Sequence, residues 1–296
     1  MATVPPVREL EAICGGEGRG AGEPRDFRIA YAVIVRKVSI RITWALLHTP
    51  LSANAVTLLG IAAGTAGALL LAWNEFWPLI AALVLLQLSF IVDYSDGEVA
   101  RYRARERGTV TDAGGAFLDW IGHYYVPAAA VAALAYGAFH QSGHEWLLLA
   151  ALVAVLSIVR VPYSARDHVL LGLFRDRPGL RGAPEFTRAV LARQGGDPDE
   201  LDLEADYAAR RAGAQGRSFL WRRWTNLGQV LVFPGFVNLL TVFVAIDLVA
   251  AGARGDYPDV TVTAGREVLI GLLGIVHLVH QVRAGAQGFQ VLRRLR

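Results

Sequence analysis

Long apolar stretches separated by polar connections dominate this chain. Six of them approach the roughly 20 residues that a helix needs to cross a bilayer, and they cover residues 55–74, 77–101, 112–136, 145–161, 226–250 and 267–287. An earlier stretch, residues 27–50, mixes basic residues into an apolar pattern, which favours a helix on the membrane surface over a short tilted span. The pattern predicts an all-α integral membrane protein with six transmembrane helices and an N-terminal interfacial amphipathic helix.

The polar segments complete the predicted organisation. Residues 1–26 contain no apolar run and are expected to form a flexible cytosolic tail. Residues 51–165 carry the first four spans, and residues 166–225 form a polar segment of mixed charge, which we interpret as a cytosolic insertion. Residues 226–296 then hold the last two spans and a basic C-terminal tail.

Basic residues are distributed unevenly among the connections. Residues 74–77 and 138–145 contain no Lys or Arg, and residues 251–266 contain two. Residues 101–107 contain four arginines, whereas residues 160–223 contain twelve. Cytosolic loops are enriched in Lys and Arg. We therefore expect a multi-pass protein of the cell (inner) membrane, with both termini and the basic loops in the cytosol.

Composition supports the membrane assignment and excludes some chemistries. The mean hydropathy is +0.37, and 54% of the residues are hydrophobic, more than a soluble domain of this size needs. A single cysteine, Cys14, excludes a disulfide framework and a thiolate metal cluster. No phosphate-binding loop, dinucleotide fingerprint or zinc-protease motif occurs. We expect no nucleic-acid partner.

Three carboxylates and a histidine fall at membrane depth. Asp93 and Asp96 are three residues apart on one helix face, and Asp119 precedes His123 by one turn in the next span. Ionisable groups in such positions are costly and usually functional or paired. Pairing with Arg101 or Arg103 is the structural alternative. Converging carboxylates otherwise suit Mg²⁺, Mn²⁺ or Ca²⁺, and two such ions can clamp a pyrophosphate.

Small residues border these carboxylates. Gly97 follows Asp96 directly, and its missing side chain would let a nucleotide approach the helix backbone. Ala100 lies one turn after Asp96 and keeps the same face open, as Gly115 does on the next helix. The remaining ionisable groups carry less weight. His277 and His280 are expected in the core of the sixth span, and Asp247 at headgroup level.

The stretch "DYSDGEVAR", followed by "GAFLDWIGH", resembles the signature of the CDP-alcohol phosphotransferases, also called CDP-alcohol phosphatidyltransferases. The opening of the first span, "LSANAVTLLG", is similar to another segment of that family, and the resemblance covers residues 28–165. It implies a two-ion site in which Mg²⁺ or Mn²⁺ is held by Asp93, Asp96 and Asp119. It also implies nucleotide contacts from Asn54, Thr57, Gly97, Ala100, Arg101 and Gly115.

Two departures from the family pattern alter this expectation. Thirteen residues separate Arg101 from Gly115, where the family has eight, so the cytosolic loop should be longer. His123 replaces the last aspartate, which in the family is the proposed general base and touches the second metal. Histidine can serve as a base near neutral pH but is a poorer Mg²⁺ ligand. We therefore expect His123 to be catalytic, with Asp112 as the alternative base.

The resemblance implies a membrane enzyme that transfers a phosphoalcohol from a CDP-linked donor to a hydroxyl acceptor and releases CMP. One of the two substrates should be a lipid, and a homodimer is expected. Arg160 and Arg166 are candidates for binding a phosphate of the acceptor. Two alternatives are a metal-ion transporter that uses the carboxylates and a non-catalytic family member. The apolar outer halves of the first three spans disfavour a transporter.

Overall fold

The structure, a computed structural model, describes residues 4–14, 29–108, 113–159 and 235–294. These ranges are helical, without a β-strand, so the all-α prediction is confirmed for them. The predicted insertion, residues 166–225, lies outside the described residues. The helices are α1 (Val7–Cys14), α2 (Ile29–Leu47), α3 (Ala53–Leu70), α4 (Phe76–Glu106), α5 (Ala113–Ser142), α6 (Trp146–Val159), α7 (Gly235–Arg254) and α8 (Ala264–Arg294).

Several helices have the length and composition of membrane spans. Among the described residues, four helices are long and apolar enough to cross a bilayer, namely α3, α4, α7 and the Ala264–Val282 part of α8. Helix α6 is apolar but has only 14 residues, and the 30-residue α5 is not one of the four. These helices are those of a membrane protein. The number of six spans and the cytosolic orientation stay predictions.

Close packing of α3 against its neighbours depends on glycines along one face. Ser52 caps the N-terminus of α3 by accepting a hydrogen bond from the Ala55 amide. A Cβ at Gly64 would lie 2.6 Å from Ser89 Oγ, and one at Gly67 would lie 2.9 Å from Leu85 Cβ. Only glycine permits such a short separation between α3 and α4. The two helices therefore run in contact from one end of the bundle to the other.

The N-terminal residues are more ordered than their sequence predicts. Leu10 and Cys14 of α1 are buried in a small apolar cluster with Ile40 of α2, and Tyr102 of α4 packs against this cluster. The prediction of a flexible tail over residues 1–26 is therefore wrong for Val7–Cys14. Helix α2 is confirmed as a helix, whereas its position on the membrane surface stays a prediction.

A fully buried ion pair closes the bundle at the end opposite the predicted active site. Arg266 and Asp247 are both 0% exposed, with 2.9 Å between Arg266 Nε and Asp247 Oδ2. Asp247 also accepts hydrogen bonds from the Gly265 and Arg266 amides at the start of α8. Arg266 Nη1 donates to Asn74 Oδ1, and the Asn74 amide donates to the Gly137 carbonyl. Asp247 is therefore buried in the protein core, while its depth at headgroup level stays a prediction.

Candidate active site

A cavity opens where α3, α4 and α5 meet. Its polar lining comes from Asp93 and Asp96 of α4, Asp119 of α5 and Thr57 of α3. The remaining lining residues are Gly60, Ile61, Ser89, Gly122 and Val126. Because α3, α4 and α5 are joined by short connections and packed through glycines, carboxylates that are distant in sequence converge here. The prediction that the three aspartates converge in one site is thus confirmed.

His123 forms the closest polar contact in this cluster. Its Nε2 lies 2.9 Å from Asp93 Oδ1 and 3.1 Å from Asp93 Oδ2, and 3.8 Å from Asp119 Oδ1. One ligand atom from each of these three residues lies within 4.8 Å of the others. The three side chains are partly exposed, with 23–31% of their surface accessible. They form a cluster of the kind that can hold a divalent metal ion.

Asp96 is the most deeply buried of the carboxylates, at 5% exposure. The Thr57 hydroxyl is placed to hydrogen-bond it. Asp96 Oδ2 and Asp119 Oδ1 are nevertheless buried without a hydrogen-bond partner in the described part of the chain. Buried carboxylate oxygens are normally paired or bound to a metal. The residues present therefore fit a divalent cation bound between α4 and α5.

The predicted nucleotide-binding residues differ in whether they line the cavity. Thr57 lines the cavity, and Asn54 lies one turn earlier on α3. Gly97 and Ala100 continue the Asp96 face of α4, and the Arg101 guanidinium folds back over Gly97, with Nη1 3.1 Å from the position of a Cβ. The cavity lining, as far as the structure describes it, does not include Asn54, Gly97, Ala100, Arg101 or Gly115. Their nucleotide contacts stay predictions.

Arg103, one of the two arginines of the structural alternative, binds backbone carbonyls. The Arg103 guanidinium donates hydrogen bonds to the carbonyls of Leu51 and Thr49 at the start of α3. It anchors the connection before α3 and does not neutralise the acidic cluster. Pairing of the carboxylates with Arg103 is therefore wrong. Arg160 and Arg166, proposed to bind the acceptor phosphate, and Asp112, the alternative base, lie outside the described residues.

Five lining residues were not identified from the sequence, and two of them, Ser89 and Gly122, join the helices beside the cavity. The Ser89 hydroxyl donates to the Gly60 carbonyl at 2.7 Å and joins α4 to α3 beside the cavity. A Cβ at Gly122 would lie 2.7 Å from Ile61 Cγ1, so this glycine lets α5 approach α3. Their positions in the sequence could have indicated them. Ser89 lies one turn before Asp93, and Gly122 lies between Asp119 and Val126.

Among the comparisons with known proteins, one family model covers the site residues. No curated protein matches the chain. A solved structure similar to this one is described as Mycobacterium tuberculosis phosphatidylinositol phosphate synthase (PgsA1) with CDP-DAG bound. It is 21% identical, with 83% of this chain and 91% of that chain covered and a TM-score of 0.45. The family model for CDP-alcohol phosphatidyltransferases matches residues 50–170, which include Thr57, Asp93, Asp96 and Asp119. Residues 50–170 of this chain are therefore similar to the CDP-alcohol phosphatidyltransferase domain.

Proposed function

We propose that this protein transfers a phosphoalcohol group from a CDP-linked donor to a hydroxyl acceptor and releases CMP. The observation that carries the proposal is the convergence of Asp93, Asp96 and Asp119 in one cavity of the matched region, where two buried carboxylate oxygens accept no hydrogen bond from the described residues. One of the two substrates is a lipid, since the catalytic helices belong to a membrane bundle.

The carboxylates are the proposed metal ligands. Asp93, Asp96 and Asp119 would hold Mg²⁺ or Mn²⁺, in all two ions, because carboxylate oxygens suit these hard cations. When bound, such ions neutralise the negative charge of a pyrophosphate and of the departing phosphate. Gly97 leaves the adjacent helix backbone accessible to the cytidine nucleotide, since the Arg101 guanidinium is the group nearest to the position of a Cβ there.

His123 is the proposed general base. Asp93, in contact with its Nε2, orients the ring and stabilises its protonated form. The ring nitrogen that does not face Asp93 accepts the proton of the acceptor hydroxyl. The acceptor oxygen then forms a bond to the phosphorus that carries the alcohol group, and the bond to the bridging oxygen breaks. CMP leaves with that electron pair.

Three further proposals concern the side of the membrane on which the site lies, the acceptor phosphate and the oligomeric state. The basic loops favour a cytosolic site, and the Arg160 and Arg166 side chains are proposed to bind a phosphate on the acceptor. A homodimer is proposed as well, and its mass in mild detergent and in nanodiscs tests it. Two substrate panels distinguish a lipid donor from a lipid acceptor.

The deciding experiment uses the purified full-length protein in detergent with Mn²⁺ or Mg²⁺ and radiolabelled donors. One panel pairs CDP-diacylglycerol with inositol phosphate or glycerol phosphate. The other pairs CDP-linked polar alcohols with diacylglycerol or ceramide. Acceptor-dependent release of CMP in either panel supports the transferase. CMP binding without turnover in both panels indicates a non-catalytic member, and metal flux into proteoliposomes without CMP release indicates a transporter.

A further inference from the structure

A buried acid next to the catalytic motif has no role in the proposed chemistry. Glu98 follows Gly97 on α4 and is only 6% exposed. Its Oε2 accepts a hydrogen bond from the Thr43 hydroxyl at 2.7 Å, and its Oε1 accepts one from the Ser39 hydroxyl at 3.1 Å. Both hydroxyl-bearing residues belong to α2 and are 0% exposed. Glu98 is therefore held entirely inside the contact between α2 and α4.

Further contacts at the same place fasten the N-terminal helices to α4. The Ser95 hydroxyl of α4 lies 3.3 Å from the Ser39 carbonyl of α2. The Cys14 thiol of α1 donates to the Glu98 backbone carbonyl at 3.5 Å. Both α1 and α2 precede residue 50, where the matched family domain begins. Elements outside that domain thus contact α4 at the residue that follows Gly97.

The helical geometry of α4 connects these contacts to the cavity. Each residue turns an α-helix by about 100°, so Glu98 lies about 200° from Asp96, on nearly the opposite face. Asp96 lines the cavity toward α3 and α5, while Glu98 faces α2. A rotation of α4 that separates Glu98 from Thr43 would also turn Asp96 away from the cavity. The orientations of Glu98 and Asp96 therefore both depend on the rotation of α4 about its axis.

We propose that Glu98 is a positioning residue for donor binding, which fixes the rotation of the end of α4 through Ser39 and Thr43. The proposal rests on the phosphotransferase function given above. It makes α2 a component of the nucleotide site although α2 lies outside the matched domain. A buried carboxylate that loses its donors is costly, and the helix would turn to regain other partners.

The test measures CMP affinity by calorimetry in the presence of Mn²⁺, for the folded full-length protein in detergent. Glu98→Leu removes both acceptors at similar volume and should weaken CMP binding about tenfold or more. Glu98→Gln keeps one carbonyl acceptor and should restore most of the affinity. Thr43→Val removes the shorter contact from the α2 side, leaves Glu98 in place, and should weaken binding several-fold. The KM for the acceptor should change little.

A matched control comes from Ser157, another buried hydroxyl, which contacts His277 Nδ1 at 3.1 Å between α6 and α8. Ser157→Ala should leave CMP affinity at the wild-type value. A role in packing alone would lower the unfolding midpoint of Glu98→Leu but leave the affinity of its folded fraction unchanged, and that result overturns the proposal. If Glu98→Leu does not fold, the unfolding midpoint and the CMP affinity of Thr43→Val are compared in the same way. Absence of CMP binding by the wild type overturns the phosphotransferase function and the role of Glu98 with it.

Discussion

His123 Nε2 lies 2.9 Å from Asp93 Oδ1, so a histidine on α5 contacts the first carboxylate of the α4 motif directly. An aspartate at position 123 would place a second negative charge beside Asp93, whereas the imidazole can donate a hydrogen bond to it. The substitution thus changes the local charge balance as well as the identity of the proposed base.

Replacing His123 with Ala should lower kcat about 10²–10⁴-fold, as expected for loss of a general base. CMP affinity should change far less, since His123 is not among the proposed donor contacts. His123→Asp, which restores the family residue, should retain part of the activity. Steady-state kinetics and CMP calorimetry check both variants. His277→Ala, which alters a histidine of α8 away from the site, is the matched control, and a wild-type kcat in His123→Ala would remove the base from the mechanism.

Replacing Asp96 with Asn should abolish turnover and the metal dependence of CMP binding. The amide has the same shape but lacks the negative charge that the unpaired Oδ2 offers to a cation. We expect Mn²⁺ binding, followed by electron paramagnetic resonance, to weaken at least about tenfold, which corresponds to one lost charge-assisted contact. Asp259→Asn changes an exposed aspartate on the α7–α8 connection and should have no effect. Equal Mn²⁺ affinity in both variants would contradict the metal assignment of Asp96.

A bulky residue at position 97 should exclude the nucleotide and leave the fold intact. The group nearest to a side chain at this position is the Arg101 guanidinium, whose Nη1 lies 3.1 Å from the Cβ position. Gly97→Leu should therefore unfold near the wild-type temperature but bind CMP at least about tenfold more weakly, through loss of close backbone approach. Gly137→Ala should behave in the opposite way, because its Cβ would lie 2.8 Å from the Leu71 carbonyl. Unchanged CMP affinity in Gly97→Leu would exclude a nucleotide at this surface.

Cys14 reports whether α1 is docked. Burial, followed by the nearby Glu98 carboxylate, raises the pKa of the Cys14 thiol to about 11. Only the thiolate reacts, so about one thiol in a thousand is reactive at pH 8, and maleimide labelling should be slow and accelerate up to a pH near 11. Leu10→Asp should undock α1 and increase the labelling rate at pH 8. Since Cys14 is the only cysteine, Cys14→Ser provides the blank. Rapid labelling of the wild type at pH 7 would contradict the docked position.

The spacing of charged residues was sufficient to predict the centre of the site. Asp93 and Asp96 fall three residues apart, and Asp119 and His123 four apart, so each pair shares a helix face and the apolar stretches around them predict packed helices. The direct contact between His123 and Asp93 was not predictable. It depends on how closely α5 approaches α4, which the glycines of α3 and α5 determine.

Long-range pairings of single polar residues were missed for a different reason. Glu98 stands among arginines in the sequence and resembles an ordinary surface charge, while Ser39 and Thr43 lie more than 50 residues away. Val7–Cys14 is too short and polar to predict a docked helix, because its stability comes from the α2 and α4 surfaces it covers. Such contacts follow from tertiary packing and have no periodic signature.

The buried pair of Arg266 and Asp247 has a consequence for biogenesis. Asp247 leaves the ribosome 19 residues before Arg266, so α7 inserted alone would enter the bilayer while its acid still lacks a partner. An isolated charge costs about 2.5–3.5 kcal/mol at the centre of a translocating helix. Insertion of α7 and α8 together as a neutral hairpin avoids much of that cost. The last two helices are therefore expected to leave the translocon as one unit, and the contact with Asn74 would then be the step at which this unit joins the finished bundle.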